Sequence, residues 1–350
     1  MNASPAQGLR NEGGPTSTNL RAIVESTPRR LAMPIGAYAG LALTGDRVRD
    51  VLCDPAAQAA AVLALNERLG TPFLLTAMDL SAEAEAFGSS VRLTDDAMPA
   101  LIGRLVTTGA DVERLAVPAP GDGRTRVHLD AAALLVAASA ERPVLGGLIG
   151  PFSLAARLFG VAETLEATLS EPAVILSLLE RVTPFLIGYA LEFRRAGAAG
   201  VVMAEPVAGL LSPRALARFS SPFVKRVVDA AQDRTFAIVL HNCGAKIVHL
   251  DRILESGAEI YHFGAPMDLP AALARVGGRV VICGNVDPTF IYAGPPSAVR
   301  AEARRLLDAS AGNRAFVLSS GCDLPPGTPL ENVEALCDAI DGTPTPDSAS

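Results

Sequence analysis

The chain has 350 residues, 49% of them hydrophobic, no tryptophan and a formal net charge of −7. That length allows two domains or one large α/β barrel. The negative balance, with no Lys/Arg-rich run, argues against a nucleic-acid-binding surface. Five cysteines, Cys53, Cys243, Cys283, Cys322 and Cys337, are odd in number and widely spread. They do not form a disulfide framework, and a reducing cytoplasm is the expected compartment. No uninterrupted run of about 18 apolar residues suggests a membrane span.

Residues 1–20, rich in Asn, Ser, Gly, Pro and Thr, read as a disordered lead-in and not as a signal peptide. Residues 343–350 read as a flexible tail. Between them, short apolar runs alternate with helical patterns. Runs fall at 33–38, 73–79, 144–150, 200–205, 236–241, 259–263, 280–285 and 315–319. Each is nearly continuous, as expected of a parallel strand buried on both faces. Asp54-Pro55 and Ser212-Pro213 each place a capping side chain before a first-turn proline, and 297–309 fits a further helix. The connection between the second and third strands is longer than a helix needs. It carries the turn-rich Val117-Pro118-Ala119-Pro120-Gly121-Asp122-Gly123 between two helical pieces. Eight strands alternating with helices predict a single (β/α)8 TIM-type barrel over 21–342, with this extended connection.

A barrel of this kind builds its active site at the C-terminal ends of its strands. There the sequence puts Asp79, Gly150-Pro151, Glu205-Pro206, His241 with Cys243, His262, Asn285 with Asp287, and Cys322. An imidazole and two thiols suit zinc with one position left open. The duller reading of a free cysteine is a small buried hydrophobe, and that role is expected for Cys53, Cys283 and Cys337. A site with two thiolates and one imidazole is suited to holding an incoming thiol as thiolate near neutral pH. Water-activating zinc sites more often use three imidazoles, or two with a carboxylate.

Three segments resemble the uroporphyrinogen decarboxylase superfamily: Gly284-Asn285-Val286-Asp287-Pro288, Gly147-Leu148-Ile149-Gly150-Pro151-Phe152-Ser153-Leu154-Ala155 and Leu115-Ala116-Val117-Pro118. The resemblance runs from about Asn19 to Asp341. True decarboxylases carry an arginine-rich segment after the first strand, where this chain has Gly36-Ala37-Tyr38-Ala39-Gly40-Leu41-Ala42. They also carry Gly-His-Gly near the last strand, where Ser320-Gly321-Cys322 stands. The other branch comprises zinc-dependent methyltransferases that move a methyl group from a methylated corrinoid to a thiol such as coenzyme M. Its His-x-Cys…Cys motif is matched by His241, Cys243 and Cys322. The segment from Met78 to Gly88 is similar to that branch's second-strand segment.

The resemblance implies a cytoplasmic methylcorrinoid:thiol methyltransferase with zinc on His241, Cys243 and Cys322. Glu205 would ligate the metal or accept the thiol proton, with capping near the Ser212 helix as the alternative. Asp79 would orient the acceptor or a corrinoid edge, or act as a cap. His262, Asn285 and Asp287 would line the cofactor side or support the ligands. No Asp-x-His-x-x-Gly segment is present to hold a corrinoid, so the methyl donor is expected on a partner protein or as free methylcobalamin. Rival readings are a decarboxylase-like lyase, a different acceptor such as tetrahydrofolate, and a non-catalytic metal- or corrinoid-binding protein. Oligomeric state and the direction of transfer are not read from the sequence.

Overall fold

A computed structural model describes residues 19–139 and 141–341. The expected tail, the first 18 residues of the expected lead-in and the barrel's expected last residue lie outside the described residues. Asn19 and Leu20, expected in the lead-in, belong to the first helix, Leu20–Ser26. Asn19 caps it by accepting from the Ala22 amide, and Leu20 is buried.

Strands β1 (Leu31–Ala32), β2 (Leu74–Leu75), β5 (Val144–Ile149), β6 (Gly200–Ala204), β7 (Ala237–Asn242), β8 (Ile260–Phe263), β9 (Val281–Val286) and β10 (Phe316–Ser320) form one sheet. Its order is β1-β10-β9-β8-β7-β6-β5-β2, and all neighbours are parallel. β3 (Ser90–Arg92) and β4 (Ala100–Ile102) pair antiparallel as a separate hairpin. The eight parallel strands curl into a single (β/α)8 TIM-type fold with helices outside it. Tyr38, just past β1, donates to the Met78 carbonyl just past β2 at 3.0 Å and ties the two ends of the sheet order together.

Six of the eight strands match their expected spans to within a residue or so. The first does not: it was expected at 33–38 and lies at Leu31–Ala32. Met33 still donates to the Leu318 carbonyl, but Pro34 has no amide for the ladder and the chain turns into the 3-10 helix Ala37–Gly40. The second strand is equally short. After Thr76 donates to Leu145, the Ala77 amide turns to the Gln58 side chain. The long connection also holds the β3–β4 hairpin, which the sequence reading did not anticipate.

Two apolar layers result. One lies between sheet and helices and the other fills the barrel interior, with Leu145, Val202, Val239, Ile260, Val281 and Val317 among its residues. Strand side chains alternate between these layers. Two residues beyond Val239, Ile260 and Val317 on the inward face stand His241, His262 and Ser319. The barrel's top layer is therefore polar. The helix Pro172–Arg195 is long and apolar enough to cross a membrane by composition, the only one among the described residues. It has a proline, Pro184, in its interior and buries Leu178, Val182, Phe185 and Tyr189 in the helix–sheet core.

Candidate metal centre

His241, Cys243 and Cys322 offer ligand atoms that all lie within 4.8 Å of one another. Tetrahedral zinc with bonds of about 2.0–2.3 Å separates its ligands by roughly 3.5–3.8 Å, so a small closure of this trio would hold the ion. An imidazole with two thiols is also the donor chemistry zinc favours. His241 ends β7, and Cys243 follows it on the turn. Gly264 lets the next loop close over that turn, since a Cβ there would sit 2.1 Å from the Cys243 carbonyl oxygen. The two thiols share a hydrogen bond. It holds the Cys243 thiol down, to about 7, and together with burial pushes Cys322 up, to about 12.

The histidine is oriented by a chain of buried groups. His241 Nδ1 lies 2.8 Å from His262 Nδ1, and His262 Nε2 lies 2.8 Å from Ser319 Oγ. The Ser319 hydroxyl donates to the Met33 carbonyl at 2.6 Å. Its proton being spent, Ser319 accepts from His262 Nε2–H. Burial and the neighbouring His241 ring keep His262 well below the usual histidine range, hence neutral. Neutral His262 then accepts at Nδ1 from His241 Nδ1–H, which leaves the His241 Nε2 lone pair for the metal. This is the support metal-bound imidazoles generally have. His262→Ala is expected to weaken zinc binding about 10- to 100-fold, read by competition with a chromogenic chelator. Unchanged affinity would remove His262 from the site.

Glu205 stands elsewhere. Its Oε1 accepts from the Phe152 amide at 2.8 Å, and Oε2 from the Ser153 amide at 2.9 Å and hydroxyl at 2.7 Å. The carboxylate thus anchors the N-terminus of the helix Pro151–Phe159, and Gly150 leaves room for it. Burial pushes it up to about 7 against those donors. Capping was the right kind of alternative but the wrong helix: Ser212 caps its own helix through the Ala215 amide. Glu205 neither joins the ligand trio nor lines the adjoining cavity. Asn285 and Asp287 also lie off the cavity. Asn285 donates to the Gly264 and Met267 carbonyls, and exposed Asp287 caps the helix Pro288–Ala293. Cys283 and Cys337 are buried as expected. Cys53 is exposed, because Val48, Val51 and Leu52 are the residues of its short helix that face the core.

The cavity has a volume of about 360 Å³. His241, Cys243 and Cys322 share its lining with Asp79, Arg157 and Asp323, and Tyr38, Met78, Met98 and Leu324 form apolar wall. Asp79 is not free: it forms a buried ion pair with Arg124 and accepts from the Ser81 amide and hydroxyl. Arg124 also binds Glu85 and the Ser81 hydroxyl. Asp323 is half-buried with its Oδ1 shielded from solvent, and desolvation with the adjacent Cys322 pushes its carboxyl well above the usual range. Sequence reasoning missed Arg124, Arg157 and Asp323. Each had a signal beside it: Arg124 closes the Gly-Asp-Gly turn, Arg157 lies on the helix opened by Gly150-Pro151, and Asp323 follows Cys322.

A sequence model of the uroporphyrinogen decarboxylase (URO-D) family matches residues 28–343. A methylcobamide:CoM methyltransferase, MtbA, of Methanosarcina acetivorans is 29% identical over 263 residues, covering 74% of this chain and 76% of that protein. A uroporphyrinogen decarboxylase of Anaeromyxobacter dehalogenans is 31% identical over 245 residues, covering 68% and 70%. Among solved structures, a methyltransferase from Methanosarcina mazei superposes with a TM-score of 0.83 at 26% identity, over 93% of this chain and 98% of that one. With this match and a thiol at position 322, the chain belongs to the uroporphyrinogen decarboxylase (URO-D) family and is an enzyme of its methyltransferase branch.

Proposed function

We propose that this enzyme moves a methyl group from a methylated corrinoid to a small thiol at a zinc ion on His241, Cys243 and Cys322. The observation that carries the reading is the His/Cys/Cys trio in the wall of a mostly apolar cavity that opens to solvent. Zinc, when bound, supplies a Lewis acid that keeps the acceptor sulfur deprotonated near neutral pH. The chain's own residues do the rest. His262 and Ser319 fix the His241 ring, while Tyr38, Met78 and Leu324 shield the reacting sulfur from bulk water. The acceptor sulfur gains the methyl group, the corrinoid keeps the electron pair of the broken cobalt–carbon bond, and the thiol proton is released.

A cavity of about 360 Å³ suits a small thiol and is too small for a corrin ring. The donor therefore approaches over the barrel mouth, on a corrinoid-carrying partner protein or as free methylcobalamin. Thiol ligands of this kind need a reducing compartment, in keeping with a cytoplasmic enzyme. Decarboxylation of a substrate with several carboxylates is disfavoured, since the cavity lining holds a single arginine, Arg157. The test is methylcobalamin demethylation, followed by its absorbance with a panel of thiols. Demethylation that needs both thiol and zinc is the expected result. No turnover across the panel, or turnover indifferent to chelators and to Cys243→Ser, overturns the reading.

A further inference from the structure

The β3–β4 hairpin leaves the body of the chain at Gly88 and returns to it at Gly103. Both glycines are exposed and hold positive φ, 108° and 71°, a region open to a residue without a Cβ. A Cβ on Gly103 would meet nothing within 4 Å. Among the described residues, 90–102 make their hydrogen bonds and ion pairs with the rest of the chain at Asp95 alone. The Asp95 carbonyl accepts from the Arg49 amide at 3.1 Å. One of its carboxylate oxygens pairs with Arg47, and the other lies 3.7 Å from the Arg49 guanidinium. All three side chains are about half exposed, so salt screens these pairs. Leu101 packs on the helix–sheet core, while Met98 and Ile102 are exposed. Two glycine ends, one apolar anchor and one polar tie are the parts of a hinged flap.

The flap bears on the reaction through Met98 and Pro99, which share the cavity wall with His241, Cys243 and Cys322. With them in place the space beside the trio is about 360 Å³, and a corrin ring does not enter it. The cobalt-bound methyl group must still reach a sulfur at the trio, so one wall has to give way. A barrel strand cannot move without breaking ladder bonds, whereas the hairpin shares none with the barrel.

We propose that the β3–β4 hairpin is a hinged cover on the acceptor cavity, latched by Asp95 to Arg47 and Arg49, that swings aside to admit the methylated corrinoid. The inference rests on the methyl-transfer reading above and assigns the donor's entrance to that site.

The chain has no tryptophan, so Met98→Trp gives the flap a single fluorescent reporter. Its quenching by neutral acrylamide is measured on the zinc-loaded full chain, without turnover. Quenching is expected to rise with sodium chloride. Once Asp95→Asn is added, it should be raised already at low salt and no longer respond to salt. Each exposed ion pair shifts the balance of open and closed forms about 1.5- to 5-fold, so the response is graded. Hydrogen exchange over 90–103, read by mass spectrometry, needs no reporter: Asp95→Asn alone should hasten it there and leave the barrel strands unchanged. In turnover, Asp95→Asn should lower KM for methylcobalamin by a similar factor and keep kcat. Quenching and exchange that ignore Asp95, a salt response that survives Asp95→Asn, or an unchanged KM for methylcobalamin overturns the proposal. A latch seen by both probes in a chain that never demethylates methylcobalamin would instead leave the moving hairpin in place and sink the methyl-transfer reading.

Discussion

Cys322→Ala is expected to lose zinc and methyl transfer together while remaining folded. Cys322 follows β10 at the mouth and is not part of the barrel interior, so a cooperative thermal melt should survive the change. The metal does not, because His241 and Cys243 alone give two ligands where structural and catalytic zinc sites use at least three. Zinc affinity should fall by more than about 100-fold, beyond the range typical of losing a supporting partner. Metal analysis of the purified variant reads this directly. One equivalent of retained zinc would show that the ligand set is wrong, whatever the activity.

Arg124→Met should be the most destabilising single change among the groups that hold the cavity wall through Asp79. Arg124 is buried between Asp79 and Glu85 and also bonds the Ser81 hydroxyl. Removing one partner of a buried ion pair strands the other charge and costs about 3–5 kcal/mol. Asp79, the more buried of the two carboxylates, is the one left stranded. Adding Asp79→Asn to Arg124→Met should therefore recover part of the loss, as denaturant unfolding of both variants would show. A loss below about 1 kcal/mol would mean that water reaches this pair.

The barrel was legible because parallel strands buried on both faces leave continuous apolar runs, and these survive even where the ladder is short. The first strand misled because Met33, Ile35 and Tyr38 are all buried, yet Pro34 stops the ladder; apolar composition does not report the missing amide. That His241, Cys243 and Cys322 would meet was legible because both thiols sit just past strand ends, where the fold itself brings them together. Glu205 was misread for the same reason. A strand-end carboxylate looks catalytic in sequence, but this one satisfies the first amides of the neighbouring helix. Arg124 and Arg157 were invisible because they sit in a turn and on a helix, and only the packing of the long connection and of the β5 helix brings Arg124 to Asp79 and Arg157 to the cavity. Spacing along the chain carries no trace of that packing. The partner of the His241 ring was expected in kind, but naming His262 needed the β7–β8 register, which sets the two histidines side by side.

The β3–β4 hairpin shares no ladder with the eight-stranded sheet, yet Met98 and Pro99, in the loop joining its strands, form part of the cavity wall beside the metal trio. The His/Cys/Cys trio and part of the cavity wall thereby belong to separate sheets. The trio and the groups behind the His241 ring sit on the barrel strands and on the turns just past them. Residues 93–99 can drift in length and composition without disturbing a single barrel strand. Part of the cavity wall can therefore change through this loop while the eight-stranded sheet stays as it is.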